Sequence, residues 1–455
     1  DLDSSLVGSE MCIRDRLGAP QPKDLTTERL PKGRSIRQLS VEPKEISLTN
    51  RFDYTQLLVT AILDDGSTTD VTRQAELTLG SDVASVGKSG VIRPNKDGET
   101  SLKLTVMGQS AELPVKVTGV DVEHKVDYVR DVNPVLTRLG CNPGTCHGAK
   151  DGKNGCKLSL RGYDALYDMR SLTDDHAARR VNLASPDNSL MLLKGTGSVP
   201  HVGSQLMKPG EPYYEIIRNW ISDGATLNQS SSRVAKITVT PENPVVQEIG
   251  QKQQVRVVAH YQDGSQRDVT QEAFITSGNT EIATVNRFGI MTALRRGEAP
   301  VLCRFEGAYA ATTLTVMGDR EGFVWQQPET WGPIDEHAAA KWERMKIQPS
   351  GLCTDAEFIR RVYLDLTGVP PTADQVRTFL DDNRETRMKR DELVDKLIGS
   401  PEYVEFWTNK WADLLQVNGK FLGRPGATAY RSWIKEKIAN NTPYNQFVTE
   451  VLTAE

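Results

Sequence analysis

"LLVTAILDDGSTTDVTRQAELTLGSDVASVGKSGVI", Leu57 to Ile92, is answered much later in the chain by "VRVVAHYQDGSQRDVTQEAFITSGNTEIATVNRFGIM", Val255 to Met291. Both stretches run through a strand, an Asp-Gly turn (Asp65-Gly66 and Asp263-Gly264), an Asp-Val-Thr and a second alternating run. Repetition of a whole unit in this way is an architectural signal rather than a local one. Alternation such as Val255, Val257, Ala259 and Tyr261 puts every second side chain on one face of a sheet, and Asp-Gly suits a tight hairpin. Each copy, residues 39–118 and 236–318, is therefore expected to be a small β-sandwich. The acidic group Asp64, Asp65 and Asp70 raises the question of calcium, but hairpin turns favour aspartate for their own hydrogen bonding.

At 455 residues the chain is too long for one core, and several domains are expected. A net charge of -5 provides no basic field to gather nucleic acid or anionic lipid, so neither is expected as a partner. No apolar run approaches the length of a membrane span. At the start, "SSLVGSEMCIRDR" (4–16) has neither an apolar signal-peptide core nor a secondary-structure period. It reads as translated sequencing adaptor, and residues 1–38, Cys12 included, are set aside as adaptor-like sequence and linker. At the other end "YNQFVTEVLTAE" (444–455) carries a helical pattern without a stop signal, so the chain is expected to be a fragment at both ends.

Between the repeats, Val126, Val129, Val132, Val135 and Leu136 stand at helical spacing and predict a helix running into Cys141. A second helical pattern uses Tyr213, Ile216, Ile217, Trp220 and Ile221, with Gly224 as its cap. Between them lies "CNPGTCHG", Cys141 to Gly148. With six Cys and six His in the chain, the chance of any C-x4-C-H is on the order of one in a thousand. Covalent haem attachment needs two thiols for the vinyl groups and a histidine beside the second, to reach iron. The usual spacing between those thiols is two residues, here four. A type II turn in "NPGT", with Pro143 and Gly144 at its corners, would absorb the difference.

Two other readings stay open: a Cys141–Cys146 disulfide, and a zinc site of Cys141, Cys146, His147 and Cys156. For a second axial ligand on iron the candidates are His201, in a Gly- and Pro-rich loop, and Met207 as the weaker alternative. Met191 sits in the apolar run "SLMLLK" and reads as core. His176 reads as a solvated helix residue.

Three resemblances follow from these residues. The "DGS…DVT" hairpin, the late "SGVI" or "FGIM" and the closing "LTVMG"-type strand resemble the bacterial immunoglobulin-like domain of group 2. "CNPGTCHGAKDGKNGCKLSLRGYD", "RRVNLASPDNSLMLLKGTGSVPH" and "IIRNWISDGA" resemble the planctomycete-type cytochrome c domain, in its branch with the longer cysteine spacing. "IDEHAAAKWERMKIQP", "FIRRVYLDLTGVPPTADQVRTFL" and "LVDKLIGSPEYVEFWTNKWADLLQV" resemble the helical domain of unknown function that accompanies such cytochromes. The second resemblance implies one covalent haem c on Cys141 and Cys146 with His147 as proximal iron ligand. The short-spaced branch has Met-Pro-Pro before its final helix; here "VPHVG" stands there, which makes His201 the distal candidate. The resemblance also implies an aromatic where this chain has Cys156, so that thiol reads as incidental.

The expected fold class is multidomain and mixed. Two Ig-like β-sandwiches flank a small, mainly α cytochrome c-like domain (119–228), and an all-α domain (325–455), incomplete at its C-terminus, follows. In the helical part Thr354 caps a run with Phe358, Ile359, Val362, Tyr363 and Leu366 on one face. Val404, Trp407, Trp411, Leu414 and Leu415 form an aromatic-heavy apolar face that reads as core. Asp365, Asp413, Arg360 and Arg361 read as surface charges rather than catalytic groups. No catalytic constellation is present. The expected function is electron transfer by a periplasmic or cell-surface c-type haem protein, with a redox protein as partner and the Ig-like domains as spacers. The alternatives are a disulfide-held binder of polysaccharide or another cell-surface ligand without haem, and one part of a larger redox-linked or hydrolytic enzyme.

Overall fold

A computed structural model describes residues 28, 30–177, 179–318, 320 and 322–454. Most of the adaptor-like segment, with Cys12, lies outside them. The chain forms two compact units, Asp1–Ile347 and Gln348–Glu455.

In the first unit each sequence repeat folds into ten strands. The first has β1 (Ile36–Glu42), β2 (Ile46–Leu48), β3 (Thr55–Gln56), β4 (Leu58–Leu63), β5 (Thr68–Asp70), β6 (Glu76–Leu79), β7 (Ala84–Val86), β8 (Val91–Pro94), β9 (Gly98–Val106) and β10 (Gln109–Val117). The second has β11 (Val234–Thr240), β12 (Val245–Val246), β13 (Lys252–Gln254), β14 (Arg256–Tyr261), β15 (Gln266–Asp268), β16 (Phe274–Ser277), β17 (Ala283–Val285), β18 (Ile290–Ala293), β19 (Gly297–Phe305) and β20 (Ala308–Val316). The first repeat's sheets are β1-β4-β5, β2-β10-β9-β6 and β3-β8-β7. The second repeat's are the same three with every number raised by ten: β11-β14-β15, β12-β20-β19-β16 and β13-β18-β17.

The period-two reading holds. Val255, Val257, Ala259 and Tyr261 are all buried, in a core separate from that of the first repeat. In each hairpin the glycine alone is left-handed, Gly66 at φ +83° and Gly264 at φ +84°, a backbone region that costs glycine nothing.

The Asp-Val-Thr segments also join the repeats to one another. Asp70 accepts the Gln254 N–H at 2.6 Å, and Asp268 accepts the Gln56 N–H at 2.9 Å. These four residues occupy equivalent positions, so the contact is self-complementary in the manner of a two-fold interface. Each aspartate also caps its own threonine, Asp70 the Thr72 N–H and Asp268 the Thr270 N–H, and each holds an arginine, Arg73 and Arg256 respectively.

Residues 119–228 have a third core, built on Val129, Val132, Val135, Leu192, Ile217 and Trp220. Its helices are α1 (Asn133–Arg138), α2 (Ala165–Thr173), α3 (Leu190–Gly195) and α4 (Pro212–Ser222). It packs against both repeats. Tyr54 of the first repeat and Tyr213 of α4 donate to the same Glu272 carboxylate of the second, at 2.6 and 3.1 Å. Arg267 of β15 donates to Asp131 at 2.7 Å and to the Arg130 carbonyl at 2.9 Å.

Helix α5 (Pro333–Arg344) belongs to this first unit. Lys341 and Arg344 pair with Glu298, and Arg296 donates to the Met345 carbonyl. This helix, expected within the helical domain from residue 325, is tied by charge to the second repeat.

The second unit has α6 (Asp355–Thr367), α7 (Ala373–Leu380), α8 (Thr386–Leu397), α9 (Pro401–Leu414), α10 (Gly419–Ala439) and α11 (Tyr444–Thr453). Thr354 and Glu357 make a reciprocal capping box, and Gly368 at φ +71° ends α6 before Pro370 and Pro371. Ile359, Tyr363, Phe379 and Leu397 form a small core with Phe358, Val362 and Leu366 against it. Leu414 departs from expectation. It is 70% exposed at the end of α9, while Trp411, one turn earlier, packs on Tyr444 and Phe447.

Candidate functional site

The helix expected before Cys141 is present in two parts. A wide turn over Tyr128–Val132, capped by the Asp127 carboxylate, leads into α1. Gly140, left-handed at φ +74°, ends it, and the Cys141 N–H returns to the Leu136 carbonyl at 2.9 Å. This six-residue closure is the usual glycine stop of a helix, and it delivers Cys141 directly from a rigid element.

The next six residues close on themselves. His147 N–H donates to the Cys141 carbonyl at 3.0 Å, while Cys146 and Gly148 N–H both donate to the Pro143 carbonyl, at 2.9 and 3.2 Å. The type II turn expected at Pro143-Gly144 is not formed. Gly144 is not left-handed, and the turn falls one residue later, with Gly144 and Thr145 at its corners. The reason lies in the partners of Asn142. Its carbonyl accepts from Arg161 at 2.9 Å, its side chain is buried and donates to Thr137, and Gly148 passes so close that a Cβ there would lie 2.1 Å from the Asn142 oxygen. The loop brings the backbone of Cys141 against that of His147.

His147 places Nδ1 3.0 Å from the Cys156 carbonyl oxygen. A carbonyl only accepts, so in the neutral ring this contact favours the proton on Nδ1 and the lone pair on Nε2. The Cys156 carbonyl is presented by a hairpin invisible to a reading centred on the cysteines. Lys153 and Cys156 exchange backbone hydrogen bonds at 2.9 and 3.0 Å, with Asn154 (φ +51°) and Gly155 (φ +72°) at the corners, a type I′ turn. The Asn-Gly pair was its sequence signal. Gly152, at φ +65°, lets the chain fold back, since a Cβ there would lie 2.4 Å from the Cys156 oxygen. The Cys156 thiol is pushed to higher pKa by burial, partly offset by Arg180.

Beside the loop stands Leu160, 52% exposed, which a Cβ on Gly144 would touch at 3.7 Å; Tyr163 and Leu166, further along the chain, are 90% and 60% exposed. Asp168, fully buried, accepts both the N–H and the hydroxyl of Ser159, and burial raises its pKa against those bonds.

The other candidates disperse. His201 is half-buried in a turn whose carbonyl accepts from Ser204. Met207 is buried in the core with its methyl against Gly195, and Met191 packs at the edge of that core. His176 is exposed as expected, though in a left-handed turn after α2 rather than on a helix. Asp365, Asp413, Arg360 and Arg361 all lie exposed on the helical unit. The acidic hairpin group is taken up by protein donors. Asp64 accepts from Ser35, Asp65 from Ser67, and Asp70 lies in the clasp between repeats. Among the described residues no three His, Cys, Asp or Glu side chains gather as a metal site.

Residues 233–303 match the bacterial Ig-like domain (group 2). Residues 333–455 match a protein of unknown function (DUF1549). The latter match begins at α5, across the division between the two units. No curated protein matches the chain in sequence. Among solved structures, domains 5-6 of the S-layer protein SbsC align at 10% identity and TM-score 0.26, covering 63% of this chain and 100% of that one. Domains 1-6 of the surface layer protein SbsC give 11% and 0.18, covering 63% of this chain and only 28% of that one. Drosophila N-cadherin EC1-4 gives 9% and 0.15, covering 63% and 50%. Scores this low carry no inference about fold or function. Among the described residues no helix is long and apolar enough to cross a membrane.

Proposed function

We propose that residues 119–228 carry one covalently attached c-type haem and serve electron transfer outside the cytoplasm, held in place by the flanking Ig-like repeats. The observation that carries this reading is the orientation of His147: with Nδ1–H committed to the Cys156 carbonyl, Nε2 is the atom able to ligate iron. Cys141 and Cys146 would form the two thioether links and His147 the proximal bond. Two thiols and an imidazole whose Nδ1 faces a carbonyl, all on one closed loop, are the donor types that the group takes. His201 is the better distal candidate, because the thioether of Met207 is packed into the core. The haem, when bound, supplies reversible one-electron chemistry. The chain's contribution is covalent retention, ligand orientation and the apolar Leu160 at the edge of the loop. The bacterial Ig-like match supports an extracytoplasmic setting, where maturation of such haem takes place.

The test is a pyridine haemochrome spectrum and a haem-stained denaturing gel on the full chain, made in the periplasm with cytochrome c maturation genes. A stained band that disappears in the Cys141→Ala, Cys146→Ala double variant is expected. A folded, unstained product whose thiols react only after reduction would overturn the reading in favour of a disulfide-held, surface-binding protein.

A further inference from the structure

The Cys156 carbonyl can set the tautomer of His147 only if the hairpin presenting it is itself held, and two side chains hold it from either side. Arg180 is buried. Its Nη2 donates to the Gly155 carbonyl at 2.5 Å and its Nη1 to the Ser171 carbonyl. Ser171, at the end of α2, donates its hydroxyl to the Lys157 carbonyl at 2.5 Å. The bonds to Gly155 and Lys157 bracket Cys156 on both sides in sequence. Arg180 also comes within 3.7 Å of Asp175, and Leu158 N–H donates to the His147 carbonyl at 2.8 Å, so the hairpin and the histidine are tied at backbone and side chain together.

A guanidinium can bridge two carbonyls in this way because it offers several donors in a fixed plane; an ammonium offers one point of charge. Neutral histidine in water prefers its proton on Nε2, so a population held on Nδ1 must be maintained by the surrounding structure. We propose that Arg180 and Ser171 are positioning residues for His147: by bracketing the Lys153–Lys157 hairpin they keep the Cys156 carbonyl on Nδ1–H and leave Nε2 as the ligating atom. This rests on the reading of His147 as a ligand, but its consequence exists before any haem is attached.

The experiment therefore begins with the full chain made in the cytosol without haem, its histidines labelled with ¹⁵N, at about pH 8 where imidazole is neutral. The His147 signals are assigned by their loss in His147→Gln, and the Nδ1–H to Nε2–H ratio is read from long-range ¹H–¹⁵N correlations. Nδ1–H is expected to dominate in the native chain. The ratio should fall at least about threefold in Arg180→Lys and, more mildly, in Ser171→Ala, with the far-ultraviolet spectrum unchanged. Ser171→Ala keeps the test alive should the arginine variant fail to fold. A native chain with Nε2–H dominant, or folded variants that keep the native ratio, would overturn the proposal. Haem staining of the same variants after periplasmic maturation separates the two ideas. A tautomer that responds in a chain that never takes haem supports the positioning and sinks the haem reading; haem attachment with an unresponsive tautomer does the reverse.

Discussion

The two Ig-like repeats share a strand order and a reciprocal aspartate contact, yet they treat the segment between them differently. At the turn joining the last two strands, the first repeat has Met107, 65% exposed. The second has Glu306, half-buried beside Tyr261, with Arg267, Arg130, Arg233 and Asp131 around it. In β5 the first repeat has Thr69, where β15 of the second has Arg267 reaching into the central segment. What the repeats hold in common makes the fold and fastens one to the other. What distinguishes the second is a charged face turned toward the candidate haem-binding segment.

The largest effect should come from that difference. Arg267→Ala leaves the half-buried Asp131 with the Asp127 N–H but without its closest cationic partner, a loss that approaches the about 3–5 kcal/mol of a buried pair. Asp131 still has His124 at 3.7 Å, which compensates only when protonated. Hydrogen exchange is expected to quicken in residues 126–138 ahead of either sandwich. Uniform loss of protection through both repeats would mean that Arg267 supports the sandwich itself, and the contrast with Thr69 would fail.

Next comes the shared feature. Asp70→Ala and Asp268→Ala each strip a buried backbone N–H of its acceptor and remove one carboxylate from an arginine, Arg73 keeping Glu28, costing ~2–3 kcal/mol apiece. Because the contact is self-complementary, the two losses should agree to within about 1 kcal/mol in urea unfolding. A large inequality would show that the symmetry is one of position and not of energy.

How far this was legible in the sequence differs by kind of interaction. The period-two runs and the Thr354 cap are local patterns, and each forms as read. The clasp was not legible, because Asp-Val-Thr has a sufficient local explanation in turn chemistry while its second role joins residues 184 and 212 positions apart. At the candidate site the cysteines and His147 were readable by spacing. The Pro143-Gly144 turn was misplaced by one residue because tertiary bonds to Asn142 decide it. Asn154-Gly155 was a readable hairpin whose importance lies in a carbonyl, and backbone atoms have no signature in a list of residue types.

The turn of the second repeat should show a pH dependence that the first lacks. Glu306 Oε1 and the Tyr261 hydroxyl are both buried without a hydrogen-bond partner among the described residues, and burial raises the Glu306 carboxyl to about 8, against the nearby arginines. A folded-state pKa above the unfolded one means that the native chain holds the proton more tightly. Stability is then greatest at pH below the unfolded value of 4.5 and declines as pH rises towards about 8. Glu306→Gln removes the titration. It should be near neutral in acid and more stable than the native chain by on the order of 1–2 kcal/mol at alkaline pH. Met107→Gln in the first repeat should show no such dependence. Parallel curves for the Glu306→Gln variant and the native chain would rule out a neutral glutamic acid at that turn.

The smallest effect is expected at the paired Asp-Gly hairpins. Asp65 and Asp263 make the same bonds to the serine two residues on, at 2.9 Å from each serine N–H, and both carboxyls are held below their usual range mainly by those serine bonds. Their charged partners differ. Asp65 pairs with Arg34 at 3.0 Å, a residue just outside its own first strand, and Asp263 with Arg130 of the central segment at 3.1 Å. These are solvent-facing pairs, screened by salt and weak, so Asp65→Asn and Asp263→Asn should each lower the unfolding midpoint slightly, Asp263→Asn the more at low ionic strength. Raising the salt should erase the difference between the two variants, since what separates them is which arginine each carboxylate pairs with and both pairs are screened. Calcium should shift neither midpoint beyond what its ionic strength does, because the carboxylates it would need are already accepting from protein donors. A calcium-specific rise that is lost in Asp65→Asn but kept in Asp263→Asn would reopen the first repeat as a cation site and make the two hairpins chemically distinct.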